Sequence, residues 1–330
     1  LEKKLATFDV YGIGNAIVDL QVEGKEEDLT ELGLQKGSMK LVDSEEQLKI
    51  LQKLQSKTVH HSSGGAAANS MITLAQLGGK GAYGCIVGDD ERGEFYLEEM
   101  RVLGVEVQNL PISGKPTGTS VVIITPDGER TMNTHLGATA DFTTAHLNSE
   151  LLVNSKWLLI EGYLFSNDSG RDAVFQALKL AKERNIKVLL TLGAAFIPQV
   201  FRDLVLEAVA MSDLVICNEE EASALTGFSD REQLFNGCAK LCRNFVVTLS
   251  EEGAELIWDG ERTRINGFPA QLIDSTGAGD AFCGGFIYGI TAGLSPIKSS
   301  QLGCLIASKV VSQLGARLKQ DAKELLKEIA

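Results

Sequence analysis

The chain has 330 residues, 44% of them apolar, and carries 44 acidic against 31 basic side chains for a formal net charge of −13. That length and apolar share support one large core plus an appendage, or two domains. The acidic balance, with no Lys/Arg cluster longer than a pair, argues against sequence-independent nucleic-acid binding, and no apolar run reaches the roughly 18 residues of a membrane span.

Cys85, Cys217, Cys238, Cys242, Cys283 and Cys304 are scattered without a C-x-x-C pair, and His60, His61, His135 and His146 form no H-E-x-x-H. A structural zinc site is not expected. Unpaired thiols of this kind suit a reducing cytoplasm, the expected location. Residues 1–6 carry no apolar signal core.

Residues 8–15 (FDVYGIGN) read as a buried strand with a Gly-containing end. Gly12-x-Gly14 invites a dinucleotide fingerprint, but position 17 is Ile where a third Gly is needed. Asn15 and Asp19 fall where ligands collect in open α/β sheets, beyond a strand's C-terminal end. Asp19 alone reads equally as a solvated turn acid. Residues 21–48 break the rhythm with two short strands, at 21–23 and 38–42, before a helix over 45–54. The stretch Ser62-Ser63-Gly64-Gly65-Ala66-Ala67-Ala68-Asn69 reads as a tight loop feeding an Ala-rich helix over 66–77.

A strand over 81–87, a turn over 88–93 and a helix over 94–103 follow. Residues 119–125 and 130–135 flank Pro126-Asp127-Gly128, a β-hairpin with Asp-Gly turn chemistry. Joined with 21–48, the hairpin makes a small sheet standing over the strand ends as a lid. The lid is assigned 21–48 and 111–140, and a large domain 1–20, 49–110 and 141–330. Arg130 on the hairpin is placed to swing toward bound phosphates, or to sit as a surface cross-strand arginine.

From residue 156 strands and helices alternate: strands over 156–160, 187–192, 214–217 and 244–249, helices over 170–185, 198–209 and 230–242. This pattern predicts a mostly parallel sheet covered on both faces. Asn218-x-x-Glu221 ends one strand; it can hold Mg²⁺ waters near ATP phosphates, or simply start an acidic helix. Asp274-Ser275-Thr276-Gly277-Ala278-Gly279-Asp280 puts small residues at a helix start, where unpaired N–H groups favour an anion. Asp280 beside an anion site makes sense if it receives a hydroxyl proton while the N–H groups hold a transferring phosphoryl group. Gly284 and Gly285 each cost a helix roughly 1 kcal/mol against Ala, so they imply a close backbone approach. Gly303, Cys304, Ala307 and Ser308, on a last helix over 302–313, either face a flat adenine ring or pack tightly.

D-S-T-G-A-G-D-A-F-x-G-G-F closely resembles the C-terminal signature of the ribokinase-like (PfkB) family of carbohydrate and nucleoside kinases. Gly64-Gly65-x-x-x-Asn69, V-G-D-D-x-x-G and Asn218-x-x-Glu221 fit the same family in the same order, over essentially the whole chain. G-N-A-I-V-D, T-P-D-G-E-R-T-M-N-T and I-E-G-Y-L look most similar to its adenosine-kinase-like bacterial branch. The resemblance implies an α/β fold with a β-sheet lid, and transfer from ATP, with Mg²⁺, to the primary hydroxyl of a nucleoside or a free sugar. It implies Asp280 as base, Gly277, Ala278 and Gly279 as anion hole, and substrate contacts at Asn15, Asp19, Gly64, Gly65 and Asn69. Asn218, Glu221, Thr248, Ser250, Gly253, Cys304, Ala307 and Ser308 are its nucleotide-side candidates, with Glu221 holding Mg²⁺ through water. Asp274 and Thr276 are candidates for a monovalent cation, K⁺. Two departures stand out. Many relatives carry Gly and Lys at Ser250 and Glu252, and an Asp where this chain has Gly193-Ala194. A sugar kinase of the same family, and a non-catalytic nucleoside or sugar sensor on the same fold, are the alternatives. A lid sheet with open edges is compatible with a monomer or a lid-mediated homodimer.

Overall fold

The computed structural model describes residues 6–329. The targeting expectation for residues 1–6 and the start of the large domain fall largely on residues 1–5, outside the described residues.

Among the described residues the main sheet has nine strands in the order β14-β13-β12-β11-β10-β9-β1-β5-β6. They are β1 (Phe8–Ile13), β5 (Gly81–Gly84), β6 (Val105–Glu106), β9 (Ser155–Glu161), β10 (Lys187–Thr191), β11 (Leu214–Asn218), β12 (Phe245–Thr248), β13 (Ala254–Trp258) and β14 (Glu261–Ile265). From β6 to β12 every pairing is parallel; the β13–β14 hairpin adds an antiparallel edge. Successive side chains on a strand enter opposite layers. Leu158, Ile160, Leu190 and Val215 pack on one face, and Leu159, Leu189, Ile216 and Phe286 on the other. Burial on both faces is why these strands are nearly continuous Val/Ile/Leu runs.

The second sheet has the order β3-β8-β7-β2-β4, from β2 (Ile17–Glu23), β3 (Met39–Leu41), β4 (Val59–Gly64), β7 (Gly118–Ile124) and β8 (Arg130–His135). The expected hairpin is β7–β8, antiparallel, with Gly128 N–H donating to Thr125 O across its turn. Two boundaries differ from expectation. β2 begins at Ile17, three residues after β1, so residues 17–20 belong to this sheet. Residues 62–64, expected as part of a loop, belong instead to β4, which pairs with β2, Asp19 opposite Ser62. His60, His61, Ser62 and Ser63 show no apolar alternation, so nothing local signals a strand; pairing with β2 imposes it. Gln47, from helix Ser44–Lys53, donates to the carbonyls of Thr119 (3.0 Å) and Asn133 (3.1 Å) and ties that helix to the sheet.

Helix Ala278–Thr291 lies between helices Ala66–Gln76 and Pro296–Val310. A Cβ on Gly284 would sit 2.5 Å from Ser70 O, and one on Gly285 would sit 3.2 Å from Gly303 Cα. The glycine pair therefore answers to two neighbouring helix backbones, which fixes the entry of Ala278–Thr291 over the strand ends.

Candidate active site

The C-terminal ends of β1, β9 and β11, the start of helix Ala66–Gln76 and the start of helix Ala278–Thr291 converge. Gly277 caps the latter helix at φ +71°, and the space beyond Gly279 is open, with no atom within 4 Å of a Cβ placed there. Ala278 N–H donates to Ser275 O at 3.3 Å, which leaves the N–H groups of Gly277 and Gly279 as donors of this helix start available to a ligand. Asp280 is in the first turn. Its Oδ2 accepts from Asn69 Nδ2 at 2.9 Å, and its carbonyl from Ser70 Oγ at 3.0 Å. Asn69 Oδ1 is buried without a partner. Burial pushes Asp280 up to about 7; the Asn69 bond pulls it down and the nearby Asp19 charge pushes it further up.

Asp19 lies across from it on β2. Gly64 makes room: a Cβ there would sit 2.6 Å from Asp19 Oδ2. Gly65, at φ +106°, brings its backbone against the carbonyl of Asn15, where no side chain fits. Burial raises Asp19 to about 7, opposed by the charges of Arg130 and then Arg317. Asn15 is buried and its Oδ1 accepts from Thr139 Oγ1 at 3.2 Å. Asn15, Asp19, Gly64, Gly65, Asn69 and Asp280 are thus brought together.

Glu161, at the end of β9 and 1% exposed, was not singled out in the sequence. It accepts from the N–H of Asn15 (3.3 Å) and of Ala67 (2.9 Å) and so ties the β1–β2 connection and the start of helix Ala66–Gln76 to the end of β9. Burial raises it to about 7, against the lowering effect of those N–H groups. The only hint was an acid ending an apolar run, Trp157-Leu158-Leu159-Ile160-Glu161. A raised carboxyl holds a proton in the folded state that the unfolded chain releases between its ordinary value near 4.5 and about 7. Its stabilising effect is present below that window and lost as pH rises through it. At about 1.4 kcal/mol per unit, Glu161 contributes a loss of about 3 kcal/mol. Denaturant unfolding at pH 5 and pH 8 is expected to show the lower stability at pH 8, with a smaller difference in Glu161→Gln. Equal slopes in both proteins would remove Glu161 as the cause.

Asn218 and Glu221 grip each other at the end of β11. Glu221 N–H donates to Asn218 Oδ1 at 2.8 Å, while Glu221 accepts from Asn218 N (3.2 Å) and Nδ2 (3.0 Å). This capping box starts helix Glu219–Thr226. Glu221 is buried, and burial raises it to about 7. Both its oxygens are engaged, and no group of three or more His, Cys, Asp or Glu poised for a metal occurs among the described residues. Thr248 ends β12; Ser250 adopts φ +53° and Gly253 φ +96°. The left-handed backbone at Ser250 is one that Gly adopts more readily than Ser. Glu252 pairs instead with Arg231 and Arg264. Cys304 lies in the core beneath β13, with Ala307 against its edge, and Ser308 Oγ returns to Leu305 O. These three read first as helix packing.

Arg130 is 4% exposed and Asp274 fully buried, and they form an ion pair. Arg130 Nε and Nη1 are buried without partners. Asp274 also accepts from Thr276 N (3.0 Å) and Gly315 N (2.7 Å). A guanidinium therefore already stands where a monovalent cation is expected at Asp274 and Thr276. At the place of the missing acid, Gly193 has φ +81°, and its Cβ would sit 2.9 Å from the Tyr163 ring, whose hydroxyl donates to Gly193 O at 2.9 Å. Tyr163 fills that space, so no side chain fits.

An acid in the first turn of a helix whose N–H groups face open space, with polar groups opposite and unpartnered arginine nitrogens nearby, is the layout of a phosphotransferase acting on an alcohol. The chain belongs to the pfkB family of carbohydrate kinases: the family model "pfkB family carbohydrate kinase" matches residues 37–323. It is 28% identical to an adenosine kinase of Schizophyllum commune, covering 98% of this chain and 100% of that protein. It is 31% identical to a fructokinase of Vibrio alginolyticus over 68% of this chain and 75% of that protein. Among solved structures, adenosine kinase from Sinorhizobium meliloti superposes with a TM-score of 0.92 at 34% identity, covering 98% of this chain and 100% of that one. A probable sugar kinase protein from Rhizobium etli gives 0.94 at 32%, covering 98% and 99%. The expected ribokinase-like α/β fold, and a phosphotransferase acting on carbohydrate or nucleoside hydroxyls, hold. Among the described residues no helix is long and apolar enough to cross a membrane.

Proposed function

We propose that this chain transfers the γ-phosphoryl group of Mg-ATP to the primary, 5′-type hydroxyl of an adenosine-like nucleoside. The carrying observation is Asp280 at the helix start, hydrogen-bonded by Asn69 and facing Asp19. Asp19 and the unpartnered Oδ1 of Asn69 accept from ribose hydroxyls and aim the primary hydroxyl at Asp280. Asp280 takes its proton, mostly late, because the transition state is loose. The N–H groups of Gly277 and Gly279, with the free nitrogens of Arg130, stabilise the transferring charge. Mg²⁺ would enter with ATP as part of the substrate and supply charge neutralisation at its phosphates, and the Asn218–Glu221 pair would hold its waters once Glu221 gives up a bond to Asn218. Thr248, Ser250 and Gly253 border the nucleotide side. K⁺ at Asp274 and Thr276 requires Arg130 to move, and no step here depends on it.

Whole-length similarity to adenosine kinases favours a nucleoside, as does the Asn15/Asp19 spacing, with Thr139 orienting Asn15. The second reading, a free-sugar kinase, draws on the similarity to fructokinase. ADP release with Mg-ATP over adenosine, inosine, guanosine, ribose and fructose separates them. Turnover with adenosine is expected. Turnover with sugars alone moves the chain to the second reading, and calorimetric binding without ADP release makes it a sensor.

A further inference from the structure

Gly315, Ala316 and Arg317 follow helix Pro296–Val310 and touch both halves of the candidate site. Gly315 N donates to Asp274 Oδ2 at 2.7 Å. Ala316 lies against Gly277, leaving no room there for a side chain. Arg317, 16% exposed, crosses to the second sheet. Its Nη2 donates to the carbonyl and the hydroxyl of Ser63, and its Nη1 pairs with Glu99 at 2.8 Å. Glu99 Oε2 in turn accepts the Ser63 N–H at 2.6 Å. Ser63 is therefore held by its N–H, its carbonyl and its hydroxyl at once. The next residue, Gly64, lies against the Asp19 carboxylate and pairs with Ile17 on β2. Two residues further on begins helix Ala66–Gln76, which carries Asn69. A displacement at Ser63 thus reaches both acceptor-binding side chains.

We propose that Arg317 is a positioning residue: it locks the end of β4 at Ser63–Gly64, and with it Asp19, in register with the anion-hole loop, so that an alcohol held by Asp19 and Asn69 lies in line with Asp280. The inference rests on the kinase reading above and adds to it a residue that touches neither the acceptor alcohol nor the reacting atoms. Small misplacements of this kind are costly in rate and binding. The connection is economical, since three consecutive residues reach Asp274, Gly277 and Ser63.

The test compares Arg317→Gln, Arg317→Lys and Glu99→Gln with the wild type. KM for adenosine, KM for Mg-ATP and kcat are measured, together with hydrogen exchange on the ligand-free proteins. Arg317→Gln is expected to raise the adenosine KM about tenfold while leaving the Mg-ATP KM within about twofold. Arg317→Lys is expected to restore much of the loss, and Glu99→Gln to show a smaller change of the same kind. Exchange over residues 62–69 is expected to rise in Arg317→Gln, with β9 to β12 unchanged. A plain structural brace would lower thermal stability and leave both KM values alone, which overturns the proposal; so does unchanged exchange over 62–69. If sugars rather than adenosine are phosphorylated, fructose replaces adenosine in the KM measurement. Silence with every acceptor would remove the kinase reading and with it the positioning role. Raised exchange in that case would show the end of β4 and the anion-hole loop still coupled, so the two failures are told apart.

Discussion

Asp280→Asn is expected to lower kcat by about 10²–10⁴-fold, the scale of a lost general base, while acceptor binding survives. The substitution keeps the geometry. Asn69 Nδ2 donates to Asp280 Oδ2, and an amide oxygen at 280 accepts the same bond. The helix start and its N–H groups are untouched, so phosphate binding persists. What disappears is the capacity to take the hydroxyl proton. In the wild type that capacity requires ionised Asp280, and burial has raised this group to about 7. The rate is therefore expected to climb with pH and level off above about 7. Asp19 sits nearby and is raised to a similar value, so the limb belongs to the pair rather than to one residue. Stability runs the other way: a carboxylate raised above its ordinary value weakens the fold as pH rises through the shifted value. Asn at 280 is thus expected to unfold no more easily than the wild type at pH 8. Steady-state ADP release and calorimetry with adenosine decide the matter. Turnover within a few-fold of the wild type would remove Asp280 from the chemistry.

The main sheet was legible because parallel strands buried on both faces read as continuous apolar runs, and β9 to β12 do so. The second sheet was legible at the turn Pro126-Asp127-Gly128 and at residues 21–23 and 38–42, which overlap β2 and β3. β4 was missed because its polar residues, His60 to Ser63, carry no period, and only pairing with β2 makes them a strand. The same rule governs the site. Asp280, Asn69 and the glycines at 64, 65 and 277 lie in short contiguous strings whose small residues advertise close approach. Glu161 and Arg317 lie in no such string. Each matters because of partners far away in sequence, Asn15 and Ala67 for one, Ser63 and Glu99 for the other. Some readings changed meaning rather than failing. Asn218 and Glu221 do sit at a strand end, yet their first partners are each other. Where the resemblance implied an acid, Gly193 has a positive φ and lies against the Tyr163 ring.

Arg130→Met is expected to produce two separable losses. The first is structural. Asp274 is fully buried and paired with Arg130, and its other acceptor bonds come from Thr276 N and Gly315 N. Removing the guanidinium leaves a buried carboxylate short of its counter-charge, which costs about 3–5 kcal/mol in comparable cases. The second loss is in rate. Nε and Nη1 of Arg130 have no partner, and buried unpaired donors are costly unless something else uses them. In the proposed mechanism an incoming phosphoryl group is that acceptor, and losing such a donor at a developing charge costs about 10²–10³-fold in kcat. The double variant Arg130→Met/Asp274→Asn separates the two. Neutralising Asp274 removes the stranded charge, so its stability is expected to exceed that of Arg130→Met alone, with a coupling term visible in the cycle. Its kcat is expected to remain low, because the donors are still missing. Stability comes from denaturant unfolding and rate from ADP release, at one pH near 8 so that the raised carboxylates are ionised in every variant. Recovery of turnover along with stability would make Arg130 only a strut between the second sheet and the anion-hole loop. Low turnover on a restored fold is what a phosphate-binding arginine requires, and it would explain why this side chain keeps two nitrogens buried and uncommitted beside Asp19.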